Sequence, residues 1–172
     1  AIVATGSEYR RLGVEGEDRL SGHGVSYCAT CDGFFFRDRP IVVVGGGDAA
    51  MEEALFLARF GSSVTVVHRR DALRASAAMA RRALDDPRIT FAWNSRVVGL
   101  GGQEALESVT LEDTLTGKRR QIPAAGLFVA IGQIPRTELV RDVLELDDAG
   151  YVRVEAPSQR TNVPGVFACG DV

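Results

Sequence analysis

A chain of 172 residues with 45% hydrophobic content is long enough to bury one ordinary core and short for two. The net charge of −3, from 20 Lys+Arg against 23 Asp+Glu, offers no global field to nucleic acid or to an anionic membrane surface, so any anion site must be local. No apolar run approaches the roughly 18 residues of a membrane span, and no charged start leads into an apolar stretch, so the sequence reads as soluble and cytoplasmic, with no nucleic-acid or membrane partner.

In chain order, Ala1-Ile2-Val3-Ala4-Thr5-Gly6 begins as a buried strand without a starting methionine, which points to further sequence upstream. Residues 7–24 carry Gly13, Gly16, Gly22 and Gly24 among charges and read as a surface connection. A short extended piece, 25–27, leads into Cys28-Ala29-Thr30-Cys31, and Phe34-Phe35-Phe36 behind it reads as a core anchor, because no basic residues are interleaved with the rings. Pro40 starts the run Ile41-Val42-Val43-Val44, which has the unbroken β-branched character of a strand buried on both faces.

Met51, Leu55 and Ala58 then recur at helical spacing over 48–60, with Gly61 as the cap, and Val64-Thr65-Val66-Val67 is the next buried strand. Strand, glycine turn, helix and strand within about 30 residues form a βαβ unit and imply a parallel sheet. A second helix is expected over 76–84, followed by short strands over 89–93, 97–100, 106–111 and 118–122 that suggest an inserted meander. Residues 126–132 read as another buried strand ending at glycine, 137–144 as a short helix, 151–154 as a strand and 166–168 as a last buried strand. The expected division is 1–12, 13–134 and 135–172.

Gly45-x-Gly47-x-x-Ala50 supplies a tight turn, a close backbone approach and a small third residue, the three requirements of a pyrophosphate seat at a helix start. Backbone N–H groups from Asp48, Ala49 and Ala50 would face the phosphates. Where an NAD site would place an acid at the end of the second strand, this chain has His68, Arg69 and Arg70, with Arg74 a turn further on. Arginine forks meet phosphate oxygens bidentately, so the expectation is NADPH.

Cys28 and Cys31 are two of only three cysteines, which is no secreted disulfide framework. Such a pair is half of a zinc site or a redox dithiol. The remaining Cys169, His23 and His68 are scattered, which disfavours zinc. Asp32 beside the pair favours redox work, since a carboxylate there can give a proton to a departing thiolate and take it back. A flavin is the expected intermediary between a nicotinamide and a dithiol.

C-A-T-C-D-G-F-F at 28–35, V-G-G-G-D-A-A-M-E-E-A at 44–54, H-R-R-D-A-L-R-A at 68–75, G-L-F-V-A-I-G at 126–132 and G-V-F-A-C-G-D at 165–171, with Thr5-Gly6, together resemble the low-molecular-weight bacterial thioredoxin reductases. The resemblance implies a homodimeric flavoenzyme with an NADPH domain inserted into a FAD domain, the former rotating so that dithiol and nicotinamide take turns at the flavin. It implies that Cys31 faces the flavin, that Cys28 attacks the disulfide of thioredoxin and that Asp32 is the acid and base. Arg69, Arg70 and Arg74 would hold the 2′-phosphate, His68, Ile131 and Gly132 would join the NADPH site, and Thr5, Gly6, Gly170 and Asp171 would contact FAD.

Three departures from the pattern stand out. A second glycine fingerprint for FAD is absent, as is the helix expected after Asp171; Gln133 and Arg136 replace the family's His and Asn; and Cys169 replaces a frequent Ala. Cys169 reads as a small buried residue. Two alternatives follow: reduction of another disulfide carrier, of peroxiredoxin type or a small dithiol, or an NADPH-binding module that by itself retains no FAD and does not turn over.

Overall fold

The structure, a computed structural model, describes residues 1–172. In chain order its elements are β1 (Ile2–Val3), β2 (Ser7–Tyr9), α1 (Glu17–Leu20), β3 (Val25–Ser26), α2 (Ala29–Asp32), β4 (Pro40–Val44), α3 (Asp48–Leu57), β5 (Ser63–Val67), α4 (Ala77–Leu84), β6 (Ile89–Ala92), β7 (Ser95–Gly101), β8 (Ser108–Asp113), β9 (Arg119–Pro123), β10 (Gly126–Val129), β11 (Gln133–Pro135) and β12 (Phe167–Ala168). A 3₁₀ turn, Gly33–Phe36, follows α2 directly. The chain folds as two compact units, Arg11–Ile131 and the discontinuous Ala1–Arg10 with Gly132–Val172.

The larger unit is built on a five-stranded parallel sheet in the order β3-β10-β4-β5-β6. Side chains alternate across a strand, so one β-branched run feeds two cores. Ile41, Val43, Val64, Val66 and Phe128 pack with Ala50, Met51, Ala54 and Leu57 of α3. Val42, Val44, Val67, Leu127 and Val129 pack on the opposite face with Val97, Val109 and Leu111 of the meander β7-β8-β9. The result is helices, parallel sheet and antiparallel meander in three layers, an α/β fold of the dinucleotide-binding type.

The expected helix over 48–60 ends at Leu57, and Gly61 serves close approach: a Cβ there would sit 2.8 Å from Ile41 Cδ1. Residues 7–24, read as a surface connection with no helix or strand assigned, contain β2 and α1. The aromatic run departs most from expectation, since Phe36 is buried while Phe34 is 61% and Phe35 74% exposed. Consecutive side chains on a 3₁₀ turn point about 120° apart, so three adjacent rings cannot share one core.

In the smaller unit β1 pairs in parallel with β12, and β2 pairs antiparallel with β11. The β2–β11 ribbon brings Gln133–Pro135 into this compact unit. Leu144, Val152, Ala168 and Val172 form its small core with Val3, Val140 and Leu146. The starts of β1 and β12 are not buried as expected, for Ile2 is 74% and Phe167 40% exposed on a sheet of only two strands, whereas Ala168 at the end of β12 is buried. Residues 137–144 form successive turns rather than a helix, Val143 donating to the carbonyl of Val140 and Val140 to that of Thr137, because one apolar face this short cannot sustain a helical ladder. Over 151–154 only Val152 pairs, with Leu146.

Candidate functional site

Because the five strands of the larger unit run parallel, their carboxyl ends share one edge. Strand β3 delivers Cys28 there, β10 delivers Ile131, β4 the glycine turn and β5 the segment His68-Arg69-Arg70. Strands β4, β5 and β6 step outward one way while β10 and β3 lie on the other side, so chain order reverses between β4 and β10. An open parallel sheet binds its ligand in the crevice at such a reversal.

Each position of the glycine turn meets a distinct constraint. Gly45 has φ +154° and donates its N–H to Val67 O at 3.1 Å. A Cβ on Gly45 would lie 2.6 Å from Ala50 Cβ and would collide with the Ala130 carbonyl, so the first glycine and the small third residue depend on each other. Gly47 precedes α3 with open space where a Cβ would stand, leaving the helix N-terminus approachable. Asp48 and Ala49 are exposed and Ala50 is buried.

The loop after β5 folds back onto this turn. The N–H groups of Arg74 and Ala75 donate to the Gly46 carbonyl at 2.7 and 3.0 Å, and Asp48 Oδ1 accepts the N–H and the hydroxyl of Ser76, both at 2.8 Å. Arg69, Arg70 and Arg74 are exposed, and none forms an ion pair with an acid of the chain. Three unpaired arginines on a pinned loop beside a glycine turn are chemically suited to an anionic group.

His68 sits apart from these exposed charges. It is 6% exposed, its ring fills the space a Cβ on Gly46 would need, and Nε2 lies 3.0 Å from the Ala72 carbonyl. Burial, with Arg70, Arg74 and Arg69 adding repulsion, pulls its pKa below the ordinary imidazole value despite the carbonyl's opposing pull. A carbonyl only accepts, so Nε2 carries the proton and the neutral ring props the loop from beneath.

At the other end of the edge, Cys28 and Cys31 form a disulfide with an S–S distance of 2.04 Å. Cys28 caps α2 and is half-buried, whereas Cys31 is exposed. Asp32 is half-buried and its Oδ2 accepts from Ser26 Oγ at 2.6 Å. Gly33 has no room for a side chain, as a Cβ would stand 2.8 Å from Leu57 Cδ2. That contact seats the disulfide segment on α3, the same helix that the glycine turn opens. Beside it, Arg37 lies 5.2 Å over the exposed Phe34 ring and Arg59 5.6 Å over Phe56.

Further polar partners have no sequence signature. Buried Glu17 accepts from the N–H groups of Leu12 and Gly13 at 2.9 and 2.8 Å and from Tyr27 Oη at 2.8 Å. Burial, reinforced by Glu17, pushes the Tyr27 phenol up to about 12. Tyr27 immediately precedes Cys28, so this clamp fixes the entry to the disulfide. Ser26, Ser76 and Glu17 each act across several residues of chain or more, which residue-type patterns do not report.

In the smaller unit, the parallel pairing of β1 and β12 brings Thr5-Gly6 and Gly170-Asp171 to one carboxyl edge. Thr5 Oγ1 donates to the Arg136 carbonyl at 2.6 Å, Gly170 has φ +82° in open space, and Asp171 is exposed. Arg136 lies 3.8 Å from Glu8, and Cys169, expected to be buried, is an exposed free thiol.

Fold and site therefore define an α/β dinucleotide-binding protein with a Cys-x-x-Cys disulfide on the ligand edge of its sheet. The sequence profile of the pyridine nucleotide-disulphide oxidoreductases matches residues 1–172, and the chain belongs to that family. It is 63% identical over 171 residues to a thioredoxin reductase of Streptomyces clavuligerus, covering 99% of this chain and 53% of that protein. A thioredoxin reductase of Streptomyces coelicolor is 58% identical, again over 99% of this chain and 53% of its own length. The crystal structure of Lactococcus lactis thioredoxin reductase superimposes with a TM-score of 0.89 at 44% identity, covering 99% of this chain and 56% of that one. The chain thus spans about half the length of the relatives it matches.

Proposed function

We propose that this chain carries the NADPH-binding and dithiol-bearing part of a thioredoxin-disulfide reductase that also uses FAD. The reading rests on one observation: a glycine turn opening α3 and a Cys-x-x-Cys disulfide share one carboxyl edge and are joined through that helix. Gly45, Gly47, Asp48, Ala49 and Ala50 would surround the pyrophosphate, with Arg69, Arg70 and Arg74 on the 2′-phosphate. His68 would support them from below, and Ile131 and Gly132 would follow β10 into the same site. Thr5, Gly6, Gly170 and Asp171 would contribute to the FAD site.

NADPH and FAD, when bound, supply the two electrons that open the disulfide. The chain's own residues then act in order. Cys28 as thiolate attacks one sulfur of the partner disulfide, and the partner's S–S bond breaks to leave a mixed disulfide. Cys31 attacks Cys28 Sγ, restores the Cys28–Cys31 bond and releases the partner as a dithiol. Asp32 takes the proton from the attacking pair and returns it at the departing thiol. The reading includes a homodimer working in the reducing cytoplasm; no helix of the chain is long and apolar enough to cross a membrane.

The exposed Phe34 and Phe35, three and four residues after Cys31, favour a protein carrier over a small dithiol, since exposed aromatic rings beside the disulfide suit a macromolecular surface. Turnover is proposed for the whole protein, and the 172-residue chain alone is expected to bind NADPH without retaining FAD. The test is NADPH oxidation followed at 340 nm with the whole protein and oxidised thioredoxin. Cys31→Ser should abolish turnover, while indifference to thioredoxin alongside reduction of a peroxiredoxin-type or small-molecule disulfide would transfer the activity to the other carrier.

A further inference from the structure

We propose that Ser26 is a positioning residue of the dithiol site, holding the Asp32 carboxylate against the backbone that carries Cys28; this rests on the reading above that Asp32 moves the proton. Ser26 is a polar residue at 5% exposure on β3, a strand fixed by its register with β10 opposite Phe128. Its hydroxyl lies at the centre of three contacts. Oγ donates to Asp32 Oδ2 at 2.6 Å, accepts the Cys28 N–H at 3.1 Å and stands 3.4 Å from the Cys28 carbonyl.

A serine hydroxyl has one proton and two acceptor sites, and an ionised carboxylate only accepts. With Asp32 ionised, the single proton must point to Oδ2, and the contact with the Cys28 carbonyl is left without a hydrogen. With Asp32 protonated, the carboxyl donates to Oγ and the serine proton turns to the Cys28 carbonyl. The Cys28 N–H stays on Oγ throughout. Ser26 therefore satisfies Asp32 in both protonation states without moving a heavy atom, which is what a group that takes and returns a proton beside a sulfur requires. Alanine at 26 would fit the same space and remove all three contacts.

The test uses the 172-residue chain with Cys169→Ser, which removes the exposed free thiol, reduced and then mixed with oxidised glutathione. One dithiol consumes one disulfide: Cys28 breaks the glutathione S–S bond, Cys31 breaks the mixed disulfide, and two electrons and two protons leave with two glutathione thiols. Asp32→Asn is expected to slow this exchange by at least about tenfold, and Ser26→Ala by about five- to tenfold. The double variant should be no slower than Asp32→Asn, because a residue acting through Asp32 has nothing left to position.

Should Ser26→Ala react at the starting rate, or slow the Asp32→Asn protein by its full factor again, the positioning role is overturned while Asp32 keeps its own. Full-rate exchange by Asp32→Asn overturns both. If circular dichroism shows that Ser26→Ala is not folded, Ser26→Thr carries the test: it keeps the hydroxyl, and a rate within about twofold of the starting chain is expected, with a loss of about fivefold overturning the proposal.

Discussion

Strands β4 and β12 both run straight into glycine-bearing segments at a parallel carboxyl edge, yet the two ends are built differently. Around β4 the sheet has five strands, and each face is covered by its own core. Around β12 it has two strands, and Ile2 and Phe167 stand exposed. Gly45 is hemmed in by Ala50 and Ala130, whereas Gly170 has nothing within 4 Å of where a Cβ would stand. The same local device is thus held rigidly where two faces are covered, and by backbone conformation alone where they are not.

The largest effect that bears on this contrast is expected in the cores. Phe128 is fully buried with its ring at 86° to Phe36, so Phe128→Ala should cost about 3–5 kcal/mol in urea unfolding, while Phe167→Ala should cost less than about 1. Equal costs would erase the distinction between the two sheets. Next, Arg69→Ala combined with Arg70→Ala should cut the preference for NADPH over NADH at least about 100-fold in calorimetric titration, because charge-assisted hydrogen bonds are worth roughly 1.5–3 kcal/mol each. An unchanged ratio would remove the arginines from the phosphate site.

The glycines provide the direct comparison. Gly45→Ala should cost about 1–3 kcal/mol through overpacking and also lose NADPH binding. Gly170→Ala should cost only the left-handed backbone penalty of about 1 kcal/mol.

The smallest effect concerns Glu53 on α3, whose buried Oε2 has no hydrogen-bond partner. Burial, with the charge of Glu52, raises its pKa from the ordinary 4.5 to about 7. The unfolded chain ionises this group above 4.5 while the folded one resists, so its contribution is intact below 4.5 and is lost as pH rises to about 7. Glu53→Gln should then raise stability at pH 8 by on the order of 1 kcal/mol after solvent screening, and leave it unchanged at pH 4. Equal midpoints at pH 8 would place the carboxylate in water.

Much of the site is legible residue by residue, and where legibility stops is informative. G-x-G-x-x-A, the β-branched runs and C-x-x-C act through neighbours a few positions away, so spacing alone points to a turn, buried strands and a sulfur pair. The aromatic run misleads because apolar character says nothing of direction, and a 3₁₀ turn sends adjacent rings to different sides. His68 shows the same limit differently: it stands beside two arginines in sequence, and its neighbours alone do not report that strand alternation and the loop's return place its ring under Gly46. Helical expectation over 137–144 fails because those residues have too little helix to offset nucleation.

What the sequence by itself determined is the local pattern: a glycine turn opening a helix, an arginine cluster, a cysteine pair with an acid beside it and an α/β pattern of strands and helices. Only the tertiary structure decided that Asp48 would turn to Ser76, that Gly46 would receive Arg74 and Ala75, and that Ser26 would stand between Asp32 and Cys28. It also decided that β3 pairs with β10, which puts the disulfide and the glycine turn on one edge. The physical reason is range. Turns, caps and alternation are settled by sterics within a few residues, whereas strand order and the polar contacts that depend on it follow from covering both faces of one sheet at once.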